Sequence, residues 1–151
     1  MSMPDQDQEQ DQEQERASDY QDQVVTEFRA NGGKVGGYFV DMTLLLLTTI
    51  GARSGKERIT ALTYMADGDQ YVVSAGNAGR PANPGWYYNL IAHPDVVVEV
   101  GAEKFDAIAT VATNEERAAL YERLAAEQPQ LADYQAMTTR QIPMISLRRR
   151  S

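Results

Sequence analysis

The sequence contains no cysteine and only one histidine, His93. Without cysteine there is no disulfide framework, no thiolate nucleophile and no thiolate metal site. No group of acidic residues has the spacing of a metal site, so we expect no bound metal. No apolar run reaches the roughly 18 residues of a membrane span, and the N-terminus lacks the apolar segment of a signal peptide. We therefore expect a cytoplasmic protein, with at most peripheral contact at the inner face of a membrane.

Positive charge is scarce in the first 22 residues, which hold eight acids and one base. This segment has a net charge of −7, so residues 23–151 carry only −1 of the total of −8. Residues 1–16 are rich in Asp, Glu and Gln, a composition that buries too little surface to offset its ordering entropy. We predict a disordered acidic tail over 1–16 and one compact domain over 17–151. Because this domain has no extended basic face, we expect no binding to nucleic acid.

The stretch 43–58 is an apolar run that leads into a basic loop. Leucines followed by β-branched residues indicate a buried strand over 44–50, and residues 57–65 favour a second strand. Gly51 and Gly55 bracket the segment between them, which is therefore predicted to be a hairpin tip.

Cations are concentrated at this tip. Arg53, Lys56 and Arg58 stand there against a single acid, Glu57. Together with the Ser54 hydroxyl and exposed backbone N–H groups, they can hold a phosphate or a carboxylate. A solvated basic turn without a ligand is the alternative interpretation.

The remaining pattern favours an α+β protein built on an antiparallel barrel. Four further strands are predicted, at 71–75, 95–100, 104–113 and 142–147, which makes six in all. Helices are predicted at 17–30, 85–93 and 114–127, with a helical turn within 131–140. We expect the first helix to pack on the domain; a lid over a ligand and a membrane-facing helix are the alternatives.

A second candidate ligand site surrounds the start of the helix at 85–93. The Gly-rich loop 76–82 lets the backbone approach a ligand closely, although most such loops only connect elements. Asn83 and Pro84 predict the helix start, with Asn83 as its N-cap. Trp86 lies in the first turn, where it is either an ordinary core residue or a wall of a site for a planar anionic ligand.

The sequence lacks the common catalytic motifs. There is no GxGxxG after a strand, no P-loop and no GxSxG. His93 stands just ahead of Pro94 and is predicted to lie at a helix end rather than to act as a general base. No nucleophile stands with a base and an orienting group.

Five short segments stand in a fixed order and spacing between residues 43 and 147. They are Leu-Leu-Thr-Thr-Ile-Gly-Ala-Arg-Ser-Gly-Lys-Glu-Arg (46–58), Asn-Pro-Gly-Trp-Tyr-Tyr-Asn-Leu (83–90), His-Pro-Asp-Val (93–96), Thr-Asn-Glu-Glu-Arg (113–117) and Asp-Tyr-Gln…Arg-Gln-Ile-Pro (133–143). Together they resemble the deazaflavin (F420)-dependent nitroreductase family.

The resemblance implies a split β-barrel like that of the flavin-binding barrels, with the 8-hydroxy-5-deazaflavin coenzyme F420 as cofactor. It also implies hydride transfer from the reduced coenzyme to a quinone, a nitro compound or another electron-poor small molecule. The phosphate and polyglutamate tail of this coenzyme agree with the basic tip. Two other interpretations stay open: a non-catalytic carrier of the deazaflavin, and a split-barrel oxidoreductase that binds FMN. Because flavin-type barrels often pair across their sheets, a homodimer is an open expectation.

The resemblance also implies roles for particular residues. Tyr134 would face the acceptor and serve catalysis. The cofactor-binding residues would lie at the end of the first strand, on the basic tip, in the Gly-rich loop and at the helix start: Thr48, Thr49, Arg53, Ser54, Lys56, Arg58, Gly76, Asn77, Ala78, Gly79, Pro84 and Trp86. The basic tip would hold the phosphate and tail, and the two threonines would lie along the edge of the ring.

The chain departs from the nitroimidazole-reducing members of that family at four positions. Thr63 and Asn77 replace a Tyr and a Lys, and Gln128 and Leu131 replace two further substrate-side tyrosines. Because only Tyr134 remains of that set, we expect poor reduction of bulky nitroimidazoles.

Overall fold

A computed structural model of the chain describes residues 22–36 and 43–150. The tail predicted over 1–16 lies outside these ranges. Within them, seven strands form one antiparallel sheet: β1 (Leu44–Ile50), β2 (Glu57–Thr63), β3 (Met65–Asp67), β4 (Gln70–Ser74), β5 (Asp95–Val100), β6 (Glu103–Val111) and β7 (Met144–Arg149). The helices are α1 (22–30), α2 (Gly85–Ala92), α3 (Asn114–Glu127) and α4 (Gln130–Ala136), with a 3-10 turn at Asn77–Gly79.

The sheet is curled, because its two edge strands are consecutive in the chain. The strand order is β2-β1-β5-β6-β7-β4-β3, and only Tyr64 separates β2 from β3. A flat sheet of seven strands would hold its edges roughly 29 Å apart, since neighbouring strands lie about 4.8 Å apart. One residue cannot span that distance. The sheet therefore bends until its edges meet, and the predicted split antiparallel barrel is confirmed.

The strand predicted over 57–65 is wrong as a single element, because it breaks at Tyr64. Gln128, the C-cap of α3, bridges this corner: its Nε2 donates to the Tyr64 carbonyl at 3.4 Å, and its Oε1 accepts from Thr63 Oγ1 at 3.0 Å. The Tyr64 ring packs edge-on against Tyr71, with 5.3 Å between ring centroids. Burial raises the pKa of the Tyr64 hydroxyl, and the charge of Tyr71 adds to the effect.

The alternating side chains of β1 serve two different cores. Leu45 and Leu47 point into the barrel, while Leu44 and Leu46 pack outside it under α1. A third core lies under α3 and α4, where Leu124 and Leu131 meet apolar residues of β3, β4 and β7. Each of the three predicted helices contributes to one of these cores, the first of them over its described residues 22–30.

Helix α1 is held on the outer face of the barrel. Its apolar residues Val24, Val25 and Phe28 are buried against β1 and β2. At its end, Arg29 donates from Nε and Nη2 to the two carboxylate oxygens of Glu99 on β5, each at 2.9 Å. The described part of this helix therefore packs on the domain, as expected, and its apolar face is already covered.

The Arg29–Glu99 pair generates a stability prediction. Arg29→Met should lower the free energy of unfolding by about 1–3 kcal/mol, because it leaves a buried carboxylate without both hydrogen bonds. The side chain of Glu99 is only 9% exposed. Urea unfolding followed by circular dichroism measures the difference.

Arg123→Met is the matched control. Its pair with Asp67 is more exposed, with side chains 52% and 31% accessible, so its loss should cost less than about 1 kcal/mol. Equal losses in the two variants would contradict a special role for the buried pair.

Candidate functional site

The predicted hairpin tip is present and is closed by its own backbone. Gly51 N–H donates to the Lys56 carbonyl at 2.7 Å, and Gly55 N–H donates to the Gly51 carbonyl at 2.9 Å. A Cβ at Gly51 would lie 2.4 Å from Ser54 Oγ, and Gly55 has a φ of +69°. Glycine is therefore favoured at Gly55 by its positive φ, whereas a larger residue at Gly51 would require the Ser54 side chain to move. The closed backbone leaves Arg53, Ser54, Lys56 and Arg58 exposed.

Asn89 of α2 ties this tip to the helix. Its Oδ1 accepts from the Ala52 N–H at 3.0 Å, and its Nδ2 donates to Thr49 Oγ1 at 3.2 Å. Thr49 is fully buried. Sequence analysis missed Asn89; the available signal was that it is the one amide side chain in an otherwise apolar helix.

A cleft of about 610 Å³ opens between the tip and α2. Its walls are formed by Gly51, Ala52, Arg53, Ser54, Arg58, Gly85, Tyr88 and Asn89. Three predicted residues of the tip are thus brought together here, while Lys56 is on the same tip but not on the wall. The aromatic side chain on the wall is the half-exposed Tyr88, which sequence analysis also missed.

The cations at this cleft are not neutralised. Four ion pairs form among residues 22–36 and 43–150, and none of them involves Arg53, Lys56 or Arg58. Guanidinium groups present a fork of N–H donors that matches the two oxygens of a phosphate or carboxylate. Helix α2 begins at the same cleft, where a Cβ on Gly85 would meet no atom within 4 Å. The residues present therefore fit an anionic ligand.

The Gly-rich loop has an unusual backbone. Asn77, Ala78 and Gly79 follow one another with φ values of 48°, 54° and 78°. Two hydrogen bonds close the turn, from Gly79 N–H to the Gly76 carbonyl and from Arg80 N–H to the Asn77 carbonyl. Left-handed conformations at two non-glycine residues cost energy and persist only where the surroundings enforce them. Such conformations are common at functional sites.

Helix α4 packs directly onto this loop. A Cβ at Gly79 would lie 2.7 Å from Met137 Sδ, and one at Gly76 would lie 3.3 Å from Tyr134 Cδ2. Glycine is therefore favoured at Gly79, which also has a φ of +78°, while a larger residue at Gly76 would require the Tyr134 ring to shift slightly. The structure thus places Tyr134, which is half-buried, beside the loop that was predicted to meet the cofactor.

Asn83 does not cap α2, so this prediction is wrong. Pro84 occupies the N-cap position, and no side chain makes a cap hydrogen bond. The Asn83 Oδ1 instead accepts from Arg140 Nη1 at 2.6 Å. Arg140 also donates to the carbonyls of Gly76 and Arg80, at 3.0 and 3.1 Å. Sequence analysis assigned no role to Arg140.

Two other residues that were predicted to bind the cofactor, Thr48 and Trp86, do not line the cleft. Thr48 is on the opposite face of β1 from Thr49, since it continues the series of Leu44 and Leu46. Trp86 is only 8% exposed and packs in the barrel core, as the alternative interpretation had it. No observation tests whether these residues contact a cofactor, so their roles stay predictions.

Three of the four positions that depart from the nitroimidazole-reducing pattern are engaged in the fold. Thr63 and Gln128 are hydrogen-bonded to each other at the barrel corner. Leu131 is only 2% exposed and belongs to the core under α4.

A second cavity lies on another part of the domain. This cavity, of about 670 Å³, lies where α1 ends and β1 begins, and it shares no residue with the predicted site. In the ranges that the structure describes, no three His, Asp or Glu side chains converge as metal ligands. The same ranges contain no helix long and apolar enough to cross a membrane.

Comparisons with known proteins agree on one family. The model of a family described as F420H(2)-dependent quinone reductase matches residues 20–148. A curated F420H(2)-dependent quinone reductase of Mycobacterium tuberculosis (strain H37Rv) is 36% identical over 127 residues, which is 82% of this chain and 85% of that protein.

Two solved structures also match the chain. One described as an F420-H2-dependent reductase (FDR-A) has a TM-score of 0.65 and 34% identity, and the match covers 74% of this chain and 99% of that chain. Another, described as a domain-swapped dimer, has a TM-score of 0.67 and 31% identity, covering 83% of this chain and 94% of that chain.

The bridge made by Asn89 generates a prediction. Asn89→Ala should lower the free energy of unfolding by about 1–2 kcal/mol, because the buried Thr49 hydroxyl and the Ala52 N–H both lose a partner. Amide hydrogen exchange of residues 51–56 should become faster in the same variant. Asn31→Ala removes an exposed Asn and should change stability by less than about 0.5 kcal/mol. Unchanged exchange at the tip in Asn89→Ala would show that the bridge is dispensable.

Proposed function

The chain belongs to the F420H(2)-dependent quinone reductase family, and we propose its function from this membership. The protein is an oxidoreductase that transfers a hydride from reduced coenzyme F420 to a quinone. The coenzyme is assigned to the cleft between the tip and α2 because the guanidinium groups of Arg53 and Arg58 lie on its wall without an ion-pair partner.

The basic tip is the proposed binding site for the anionic part of the coenzyme. Arg53 and Arg58 supply paired N–H donors, and Ser54 supplies a hydroxyl at the same wall. Lys56, exposed on the same tip, adds positive charge that attracts the polyglutamate tail. FMN also carries a phosphate but lacks that tail, so a basic tip of this size favours F420.

The hydride chemistry belongs to the coenzyme when it is bound. The protein contributes position: it holds the acceptor at a near-attack distance and excludes water. We assign the coenzyme ring to the backbone of the 76–79 loop, because α4 and Arg140 fix that loop in a conformation that isolated residues disfavour.

Tyr134 is the proposed acceptor-side residue. Negative charge develops on the quinone oxygen as the hydride arrives, and a phenolic hydroxyl can donate a hydrogen bond or a proton to it. The contact of its ring with the loop at Gly76 supports this role. Since Thr63, Gln128 and Leu131 are engaged in the fold, we propose a compact quinone rather than a bulky nitroimidazole as acceptor.

The expected homodimer and the expected peripheral membrane contact stay predictions. The description of one 31%-identical structure as a domain-swapped dimer supports the former. The burial of Val24, Val25 and Phe28 removes the described face of α1 from any membrane contact. Light scattering after gel filtration measures the oligomeric state.

The function is tested by anaerobic mixing of the protein with reduced F420 and a naphthoquinone, with formation of oxidised F420 as the readout. Catalytic turnover supports the proposal. Stoichiometric binding without turnover by any quinone would favour the carrier interpretation, and turnover with reduced FMN but not reduced F420 would favour the flavin interpretation.

Arg58→Ala should weaken F420 binding by roughly 1.5–3 kcal/mol, because a hydrogen bond to a charged group is lost. Isothermal titration with oxidised F420 gives the Kd. The same variant should bind the deazaflavin ring without phosphate or glutamates as well as the wild type does.

Arg148→Ala is the control for net charge, since Arg148 is exposed on β7 and away from the cleft. Its F420 affinity should match that of the wild type. If Arg58→Ala left the Kd of F420 unchanged, Arg58 would be removed from the site.

Tyr134→Phe should lower kcat with a quinone by about a hundredfold, because the hydroxyl that stabilises the developing charge is absent. The Kd of F420 should stay the same. Tyr121→Phe makes the same change on α3, where the ring lies under Arg117, and should leave kcat unaltered. Equal kcat values for wild type and Tyr134→Phe would show that Tyr134 has no catalytic role.

A further inference from the structure

We propose that Arg140 is a positioning residue that fixes the 76–83 loop against α4. Its guanidinium group donates to the Gly76 carbonyl at the start of the loop, to the Arg80 carbonyl in the middle and to the Asn83 amide oxygen at the end. One side chain thus joins three points of the loop, and these points lie 57 to 64 residues before Arg140 in the chain.

The loop needs an external support. Among the described residues, the hydrogen bonds within the loop are the two of the 3-10 turn and one from Asn77 Nδ2 to the Ala82 carbonyl at 2.8 Å. Against these stand the left-handed conformations of Asn77 and Ala78. Strained residues of this kind relax unless neighbouring contacts determine their conformation. Arg140 supplies three such contacts from outside the loop.

Arg140 is itself held in place by α4. Gln135 Nε2 donates to the Arg140 carbonyl at 2.7 Å, while Gln135 Oε1 accepts from the Ile142 N–H at 3.0 Å. The Arg140 N–H faces Thr138 Oγ1 at 3.4 Å. The backbone of Arg140 is therefore fixed to α4, and its guanidinium group links the loop to this helix.

The three hydrogen bonds to the loop require an arginine at position 140. The acceptors are neutral, and each is reached by a different nitrogen of the guanidinium group: Nε, Nη1 and Nη2. In the described part of the chain, no carboxylate pairs with Arg140. A guanidinium group presents several N–H donors in a rigid plane, whereas a lysine ammonium is a single flexible donor centre. Arg140→Lys keeps the charge and cannot reproduce the three bonds together.

The consequence for the reaction rests on the proposed function. The loop carries the backbone assigned to the coenzyme ring, and α4 carries Tyr134 on the acceptor side. Hydride transfer requires reacting atoms at about 3–3.5 Å, and small displacements cost much of the rate. By fixing the loop against α4, Arg140 would set the separation of coenzyme and acceptor without touching either.

The support itself is tested without coenzyme. In Arg140→Lys, amide hydrogen exchange of residues 76–83 should be faster by about tenfold or more, because Gly79 and Arg80 lie in a turn that is no longer held. Asn83→Ala, which removes one acceptor, should give a smaller acceleration. Arg29→Lys weakens a different arginine fork, on α1, and should leave this segment unchanged. Unchanged exchange in Arg140→Lys would overturn the proposal.

The role in the reaction is tested by kinetics on the same variants. Arg140→Lys should lower kcat by about tenfold while the KM of the quinone changes by less than about threefold. Arg29→Lys should match the wild type in both constants. Faster exchange with an unchanged kcat, or a raised KM with an unchanged kcat, would overturn the positioning role. If exchange is faster in Arg140→Lys but the wild type shows no turnover, the loop contact is supported and only the proposed function is contradicted.

Discussion

The chain passes from one edge of the sheet to the other through Tyr64 alone, and this short connection determines the shape of the domain. This forces the sheet to curl and creates an interior that α2 closes with Trp86 and Leu90. Because these two side chains point inward, Tyr88 and Asn89 are left on the side of the helix that faces the hairpin tip. The cleft is thus a consequence of how the barrel is closed.

The site divides into a charged part and a backbone part, and each is held by a polar side chain from elsewhere. Asn89 fixes the basic tip to α2, and Arg140 fixes the Gly-rich loop to α4. Both side chains bind neutral groups, and none of the ion pairs in the described ranges involves the cations of the tip. Hydrogen bonds to buried or strained groups stabilise mainly because leaving those groups unpaired is expensive.

Local patterns were sufficient for much of the fold. The start of α3 has the Thr-x-x-Glu spacing of a capping box, and Thr113 Oγ1 accepts from the Glu116 N–H. The alternation of apolar residues predicted the strands, and the cations of the tip were read directly from the sequence. These features depend on neighbours within a few residues, which is the range over which such rules hold.

The features that could not be predicted depend on distant partners. The break at Tyr64 is bridged by Gln128, and the cap expected from Asn83 was lost to Arg140, 57 residues away. Neither partner carries a local signal. The aromatic run at 86–88 could not show which ring turns inward, because that depends on how α2 meets the barrel. The closing strand extends to Arg149, which pairs with Glu103 and stacks over Phe105.

The cleft beside the basic tip is proposed to bind a deazaflavin coenzyme through its anionic tail. Parallel titrations of the purified protein with F420 and FMN, followed by ligand fluorescence, distinguish the two cofactors. We expect saturable binding of F420 and none of FMN at the same concentrations. Binding of FMN alone would rule out the proposed site, and the basic tip would then hold the FMN phosphate.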